Sequence, residues 1–181
     1  MNAYLDQAKE RMEKALVALD EHFATVRTGR ANPSILNDVE VSYYGADTPL
    51  NQLAQVSVVE GTQLVVKPFD PGIVKDIEKA IFSANIGLTP QNDGSLIRIN
   101  VPKLTEETRK ELSKDVSKMG EEAKVAIRNI RRDVNDAIKK DDSLPEDQEK
   151  RALDKVQEIT DDFVKRIDQA VTNKTQDIMK V

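Results

Sequence analysis

The side chains in this chain best suited to binding chemistry are a group of cations. Arg128, Arg131 and Arg132 fall within five positions of the stretch VAIRNIRRDVNDAIKK, with Lys124 just before it, in a chain of formal net charge -5. At about 100° per residue, Ile127, Ile130, Val134 and Ile138 form one apolar stripe of a helix. Lys124, Arg128, Arg131, Arg132 and Lys139 all fall on one flank of that stripe, and Asp133 and Asp136 lie away from most of them. Arg131 projects closest to the seam, where a long side chain covers a neighbour and keeps its guanidinium in water. A solvated flank with intrahelical ion pairs is the plain reading. It does not require such sorting of charge, however, and the five-donor fork of arginine suits phosphate. The sharper reading is a face that meets a polyanion.

A second pair, Arg27 and Arg30, frames Thr28 and Gly29 in the segment RTGRANPS. A helix C-terminus favours cations, which accounts for Arg27 but less well for Arg30. Tyr43 and Tyr44 are adjacent in a strand, so one faces inward and the other outward.

Catalytic groups are scarce. The chain has one histidine and no cysteine, which excludes disulfides, thiolate metal sites, a thiol nucleophile and any multi-histidine site within it. No GxxxxGK[ST] loop is present, and the glycines are spaced as turns rather than as a dinucleotide fingerprint. Asp70 is better placed as a helix cap than as a general base. The expectation is a protein that is not an enzyme and takes no cofactor or metal.

The elements that must position the cations follow from period and punctuation. Of 181 residues, 33% are charged and 39% hydrophobic, as in a soluble, helix-rich protein. The first residues carry charge where a secretory signal needs an apolar core. From Asn2 to about Thr28, Leu5, Ala8, Met12, Ala15, Leu19, Phe23 and Val26 recur at steps of three and four, which predicts one amphipathic helix. Gly29 and Pro33 interrupt it. Between Ile35 and Pro102 the period drops towards two. VEVSYY, QVSVVE, TQLVVK and SLIRINV read as strands, with DPGIVKDIEKAIFSANIG as a helix capped by Asp70. After Pro102 two further amphipathic helices follow, the last opened by Ser143 and Glu146 at capping-box spacing.

Three long helices with one apolar stripe each must bury those stripes together. The fold class is therefore two-domain α+β: a long antiparallel three-helix bundle of residues 1–30 and 104–181, with an inserted β/α/β domain of residues 31–103. Two chain crossings, Gly29, Arg30, Ala31, Asn32 and Pro33 on one side and Pro102, Lys103, Leu104 and Thr105 on the other, form the expected hinge, which favours two bodies at an angle.

RTGRA at residues 27–31, EVSYYGADTPLNQLAQV at residues 40–56 and RNIRRDVND at residues 128–136 together resemble the ribosome recycling factor family along the whole chain. The resemblance implies an L-shaped molecule that binds the post-termination ribosome and, with elongation factor G and its GTP hydrolysis, separates the subunits. It implies contact with large-subunit RNA through Arg131, whose position matches the family's key arginine, and through the neighbouring Arg128 and Arg132. Lys124, Arg27 and Arg30 complete the expected RNA-binding set. A cytoplasmic monomer is expected. The alternative is a non-catalytic helical adaptor whose basic stripe meets an acidic protein.

Overall fold

The computed structural model describes residues 2–180. It contains two compact units, one built from the chain up to Val26 together with Glu106 onward, the other from Arg27–Thr105. The division thus falls at 26/27 and 105/106, so that residues 27–30 and 104–105 pack with the second unit.

Helix α1 spans Asn2–Ala24 and buries Ala8, Met12, Leu16, Leu19 and Phe23, the three- and four-residue steps of one face. It stops short of the expected Thr28. The Thr25 N–H and hydroxyl both donate to the His22 carbonyl at 3.1 and 2.7 Å, and the Val26 N–H donates to the Phe23 carbonyl at 3.1 Å. These bonds tighten the last turn, satisfying carbonyls that would otherwise be orphaned.

The second unit opens with a 3-10 turn over Pro33–Leu36, capped by Asn32, whose Oδ1 accepts from the Ser34 N–H at 3.0 Å. Strands β1 (Glu40–Tyr43) and β2 (Ala46–Pro49) form a hairpin of their own. Tyr44 (φ 49°) and Gly45 (φ 79°) close it as a two-residue turn with both central residues left-handed, the form that matches strand twist. The two tyrosines do not share a strand as expected, because β1 ends at Tyr43 and Tyr44 belongs to the turn. Tyr43 is half-buried against the core, while Tyr44 is 88% exposed at the turn, its ring edge-on to that of Tyr43.

A single turn, α2 (Leu50–Leu53), leads into an antiparallel four-stranded sheet. Its strands are β3 (Ala54–Val59), β4 (Gln63–Pro68), β5 (Pro90–Asn92) and β6 (Ile97–Asn100), in the order β3-β4-β6-β5. Asp70 caps the 3-10 turn Pro71–Ile73 by accepting from the Gly72 N–H at 2.9 Å, and α3 (Val74–Ser83) follows. The helix ends before the expected Gly87. Asn85 and Gly87 both take positive φ, which no continuing helix accommodates. Val74, Ile77 and Ile81 of α3 share a core with Leu64, Val66, Ile97 and Ile99 of the sheet and with Val41 and Leu50.

Both chain crossings are fastened to the turn between β3 and β4. The Ala31 N–H donates to the Gly61 carbonyl at 2.9 Å, and the Val101 N–H to the Thr62 carbonyl at 2.8 Å. Gly29 (φ +75°) runs close beside the other crossing, where an added Cβ would lie 3.3 Å from the Leu104 nitrogen.

The bundle resumes with α4 (Glu106–Lys139) and α5 (Glu146–Met179). Val116, Ile127, Ile130, Val134 and Ile138 of α4 and Ala152, Val156, Phe163, Ile167 and Ile178 of α5 are buried. Tyr4 and Arg11 of α1 bond Asp141 and Asp133, so α1 runs antiparallel to α4. Lys124 meets Asp168 and Arg131 meets Gln157, so α5 is antiparallel to α4 as well. Among the described residues, no helix is long and apolar enough to cross a membrane.

The expected capping box at α5 does not form. Pro145 is the N-cap and makes no side-chain cap bond, while Ser143 donates both its N–H and its hydroxyl to Asp141 Oδ1. Asp141 wins Ser143 because it lies two residues before it, the spacing of an Asx turn. The carboxylate also accepts from the Tyr4 hydroxyl at 2.7 Å. The Ser143 hydroxyl, then Tyr4, then the Ser143 N–H hold Asp141 below its ordinary carboxylate pKa. A carboxyl depressed in the folded state stabilises above its unfolded pKa, and that contribution fades as pH falls through the lower folded value. Tyr4→Phe is expected to raise the Asp141 pKa towards its usual range in an NMR carboxyl titration. An unchanged titration would show that the phenol is not a significant donor.

Candidate functional site

The face of α4 that carries the cations is set by the two helices it packs against. Its apolar stripe faces the bundle core, Asp133 reaches Arg11 on the α1 side at 2.9 Å, and Lys124 and Arg131 reach α5. What remains outward is the flank of Arg128 and Arg132, one helical turn apart. Both are exposed and pair with no carboxylate among the described residues. Arg131 is half-buried at the inner border of that flank. Its Nη1 donates to Gln157 Oε1 at 3.1 Å, and its Nε is enclosed without a partner.

Lys124 separates from this group. Its side chain is only 15% exposed, and its ammonium is held by Asp168 of α5 and by Glu121 at 3.3 Å. The Asp168 bond is the main reason its pKa is raised above the ordinary lysine value, against an opposing effect of burial. Two carboxylates offset its charge, so Lys124 ties α4 to α5 and contributes little to an outward potential. The position of Asp168 on another helix was the deciding fact, and spacing along α4 contains no trace of it. Arg27 and Arg30 are exposed. They follow the end of α1 and belong to the second unit, not to the bundle that carries Arg128, Arg131 and Arg132.

Two residues on this face lie outside the cationic set. Val125, 52% exposed, is one turn before Arg128 and two before Arg132, leaving an apolar surface among the arginines. Gln157 holds Arg131 from the neighbouring helix. An apolar residue off the stripe was the available signal for Val125; nothing in local sequence marks Gln157.

A hollow of about 590 Å³ in the second unit is lined by Asp38, Glu40, Asp47 and Asp76, with Lys79 as its one cation. Its charge is the wrong sign for a polyanion. No group of three or more histidines and carboxylates that could hold a metal occurs among the described residues.

The family model for ribosome recycling factor matches residues 19–179. This chain belongs to the ribosome recycling factor family. The ribosome-recycling factor of Bacillus subtilis (strain 168) is 52% identical over 180 residues, covering 98% of this chain and 97% of that protein. That of Xanthomonas campestris pv. campestris (strain B100) is 50% identical over 184 residues, covering 100% of both. A solution structure of the ribosome recycling factor matches with TM-score 0.84 and 36% identity over 99% of this chain and 97% of the other. A further match, with TM-score 0.64 and 43% identity over 99% and 98%, is to models for the T. thermophilus ribosome recycling factor and the E. coli elongation factor G bound to the E. coli post-termination complex. Membership of the recycling factor family accounts for the two-unit α+β architecture and for a chain that acts without catalysis of its own.

Proposed function

We propose that this chain binds the post-termination ribosome and, with elongation factor G and that partner's GTP hydrolysis, separates the subunits so that they can be reused. The observation that carries this reading is the end-to-end likeness to recycling factors, one of them in models with elongation factor G on the post-termination complex.

The bundle contacts large-subunit RNA through Arg128, Arg131 and Arg132, with Val125 among them. Phosphate contacts position a protein without base readout, and a rigid helical rod docks on folded RNA by shape. Arg27 and Arg30 make a separate contact from the second unit. The chain works as a monomer in the cytoplasm.

The hinge is the pair of chain crossings, residues 29–33 on one side and 102–105 on the other. Within the first, Ala31 is bonded to Gly61 and Asn32 caps the turn that Pro33 opens. With one unit held by RNA and the other pushed, force passes through two chain crossings, and strain develops at the contacts between ribosomal subunits.

Binding to purified large subunits tests the RNA contact. Affinity is expected to fall linearly with salt on a log–log scale, by roughly 0.7–0.9 in slope per phosphate neutralised. Binding that ignores salt, or that is equally tight to unrelated folded RNA, would contradict it. Lys124→Gln is expected to leave that slope unchanged while lowering stability by about 1 kcal/mol or less, the range of an ion pair near the surface. A slope reduced as much as by Arg128→Ala would return Lys124 to the contact set.

A further inference from the structure

We infer that Gln157 is a positioning residue for Arg131, a neutral spacer that aims the guanidinium without cancelling its charge; the inference rests on the proposed RNA contact of Arg131. Gln157 lies between two groups that each accept only one end of its amide. Its Nε2 donates to Asp161 Oδ1 at 2.9 Å, one turn along the same helix, and its Oε1 accepts from Arg131 Nη1 at 3.1 Å. An ionised carboxylate only accepts hydrogen bonds and a guanidinium only donates them. Asp161 therefore selects the NH2 end of the amide, and the oxygen is left facing Arg131. The order acceptor, amide, donor admits no flipped alternative.

The effect on Arg131 follows from its other nitrogens. Nε is enclosed with no partner, so the side chain lies along the α4–α5 seam, and Nη1 is engaged by Gln157. Of the fork, Nη2 and the second hydrogen of Nη1 remain for an outside acceptor. A long side chain otherwise loses considerable rotamer freedom on binding, and holding it beforehand reduces that loss.

The contrast with Lys124 shows why the spacer is an amide. Lys124 meets Asp168 of α5 directly, with Glu121 beside it, and its charge is offset there. Arg131 lies seven residues further along the same side of α4, and Asp161 lies seven residues before Asp168 on α5. At the Arg131 level the carboxylate is reached through a glutamine. The helix pair is joined in both places, but only the second arrangement leaves a positive charge available.

A double-mutant cycle read by salt-dependent binding to large subunits tests this. Gln157→Leu is expected to weaken binding about three- to tenfold with an unchanged salt slope, the loss of one hydrogen bond that orders a charged group. Arg131→Ala weakens it further and lowers the slope, and adding Gln157→Leu to Arg131→Ala has no further effect. Gln157→Glu places a carboxylate against the guanidinium but loses the donation to Asp161 and sets two carboxylates one turn apart. The new ion pair and that repulsion roughly offset, so the variant is expected to melt close to the parent and to bind more weakly with a reduced slope. Full binding by Gln157→Leu while Arg131→Ala binds poorly overturns the positioning role alone. The same loss from Gln157→Leu with and without Arg131 also overturns it. Full binding by Arg131→Ala overturns the contact beneath it, and the positioning role with it.

Discussion

Arg131→Ala lowers affinity for the large ribosomal subunit by roughly tenfold to a hundredfold and shifts thermal unfolding by only a few degrees. The two halves of this expectation come from different environments of one side chain. On the protein side, truncation loses a solvent-exposed hydrogen bond from the guanidinium to Gln157, a neutral residue whose amide is rehydrated once it is freed. That loss and the missing aliphatic cover come to about 1 kcal/mol. It also removes an Nε that had no partner. On the RNA side, charge-assisted bonds to phosphate contribute about 1.5–3 kcal/mol, which is the stated fold-change in affinity. Arg131→Lys keeps the charge and loses the fork, so it falls between the two. Equilibrium binding at two salt concentrations, with a melting curve of each variant, decides the matter. A large drop in melting temperature with unchanged binding by the folded variant would assign Arg131 to packing instead.

Gly120→Leu is expected to destabilise the bundle by about 3 kcal/mol or more, the cost of overpacking a tight helix contact. Gly120 is buried in the middle of α4, where glycine is intrinsically unfavourable by roughly 1 kcal/mol relative to alanine. It is tolerated because α5 comes so close. A Cβ at this position would lie 2.5 Å from Val171 Cγ2 and 3.9 Å from Ile167 Cγ2. The β-branched Val171 has little rotamer freedom with which to retreat. For a unit of this size, each kcal/mol lowers the melting temperature by about 4–8 °C. Gly120→Ala is milder, because gained helix propensity opposes the clash, and Val171→Ala should recover part of the loss in either background. Helical circular dichroism on heating provides the measurement. A Gly120→Leu protein that melts with its parent would mean that the helices separate there without penalty.

Much of this architecture was legible because each long helix repeats one simple rule. Ala8, Met12, Leu19 and Phe23 mark the buried face of α1 by spacing alone, and the same holds for Ile127, Ile130, Val134 and Ile138 in α4. The change to a shorter period between Ile35 and Pro102 marked the second unit. Ends of elements were less legible. The early stop of α1 depends on Thr25 folding back on His22, and the start of α5 depends on Asp141 taking Ser143 from its expected capping role. Strand β5, only Pro90–Asn92, is too short to show a period and exists through its pairing with β6.

The candidate site divides the same way. The sorting of Arg128 and Arg132 onto one flank is local to α4, so it could be read from one helix. Which cations stay free is not local. Lys124 is neutralised by Asp168 and Arg131 is held by Gln157, and both facts depend on the register between α4 and α5. Flank position and spacing made Lys124 and Arg131 look alike. The facing helix makes one of them a strut and leaves the other its charge.

Light scattering of post-termination ribosomes mixed with this protein, elongation factor G and GTP tests the central claim most directly. The expected result is a fall in scattering that requires all three components, as intact ribosomes become subunits. Scattering that stays level with all three present, although the protein binds the ribosome tightly, would contradict a role in recycling.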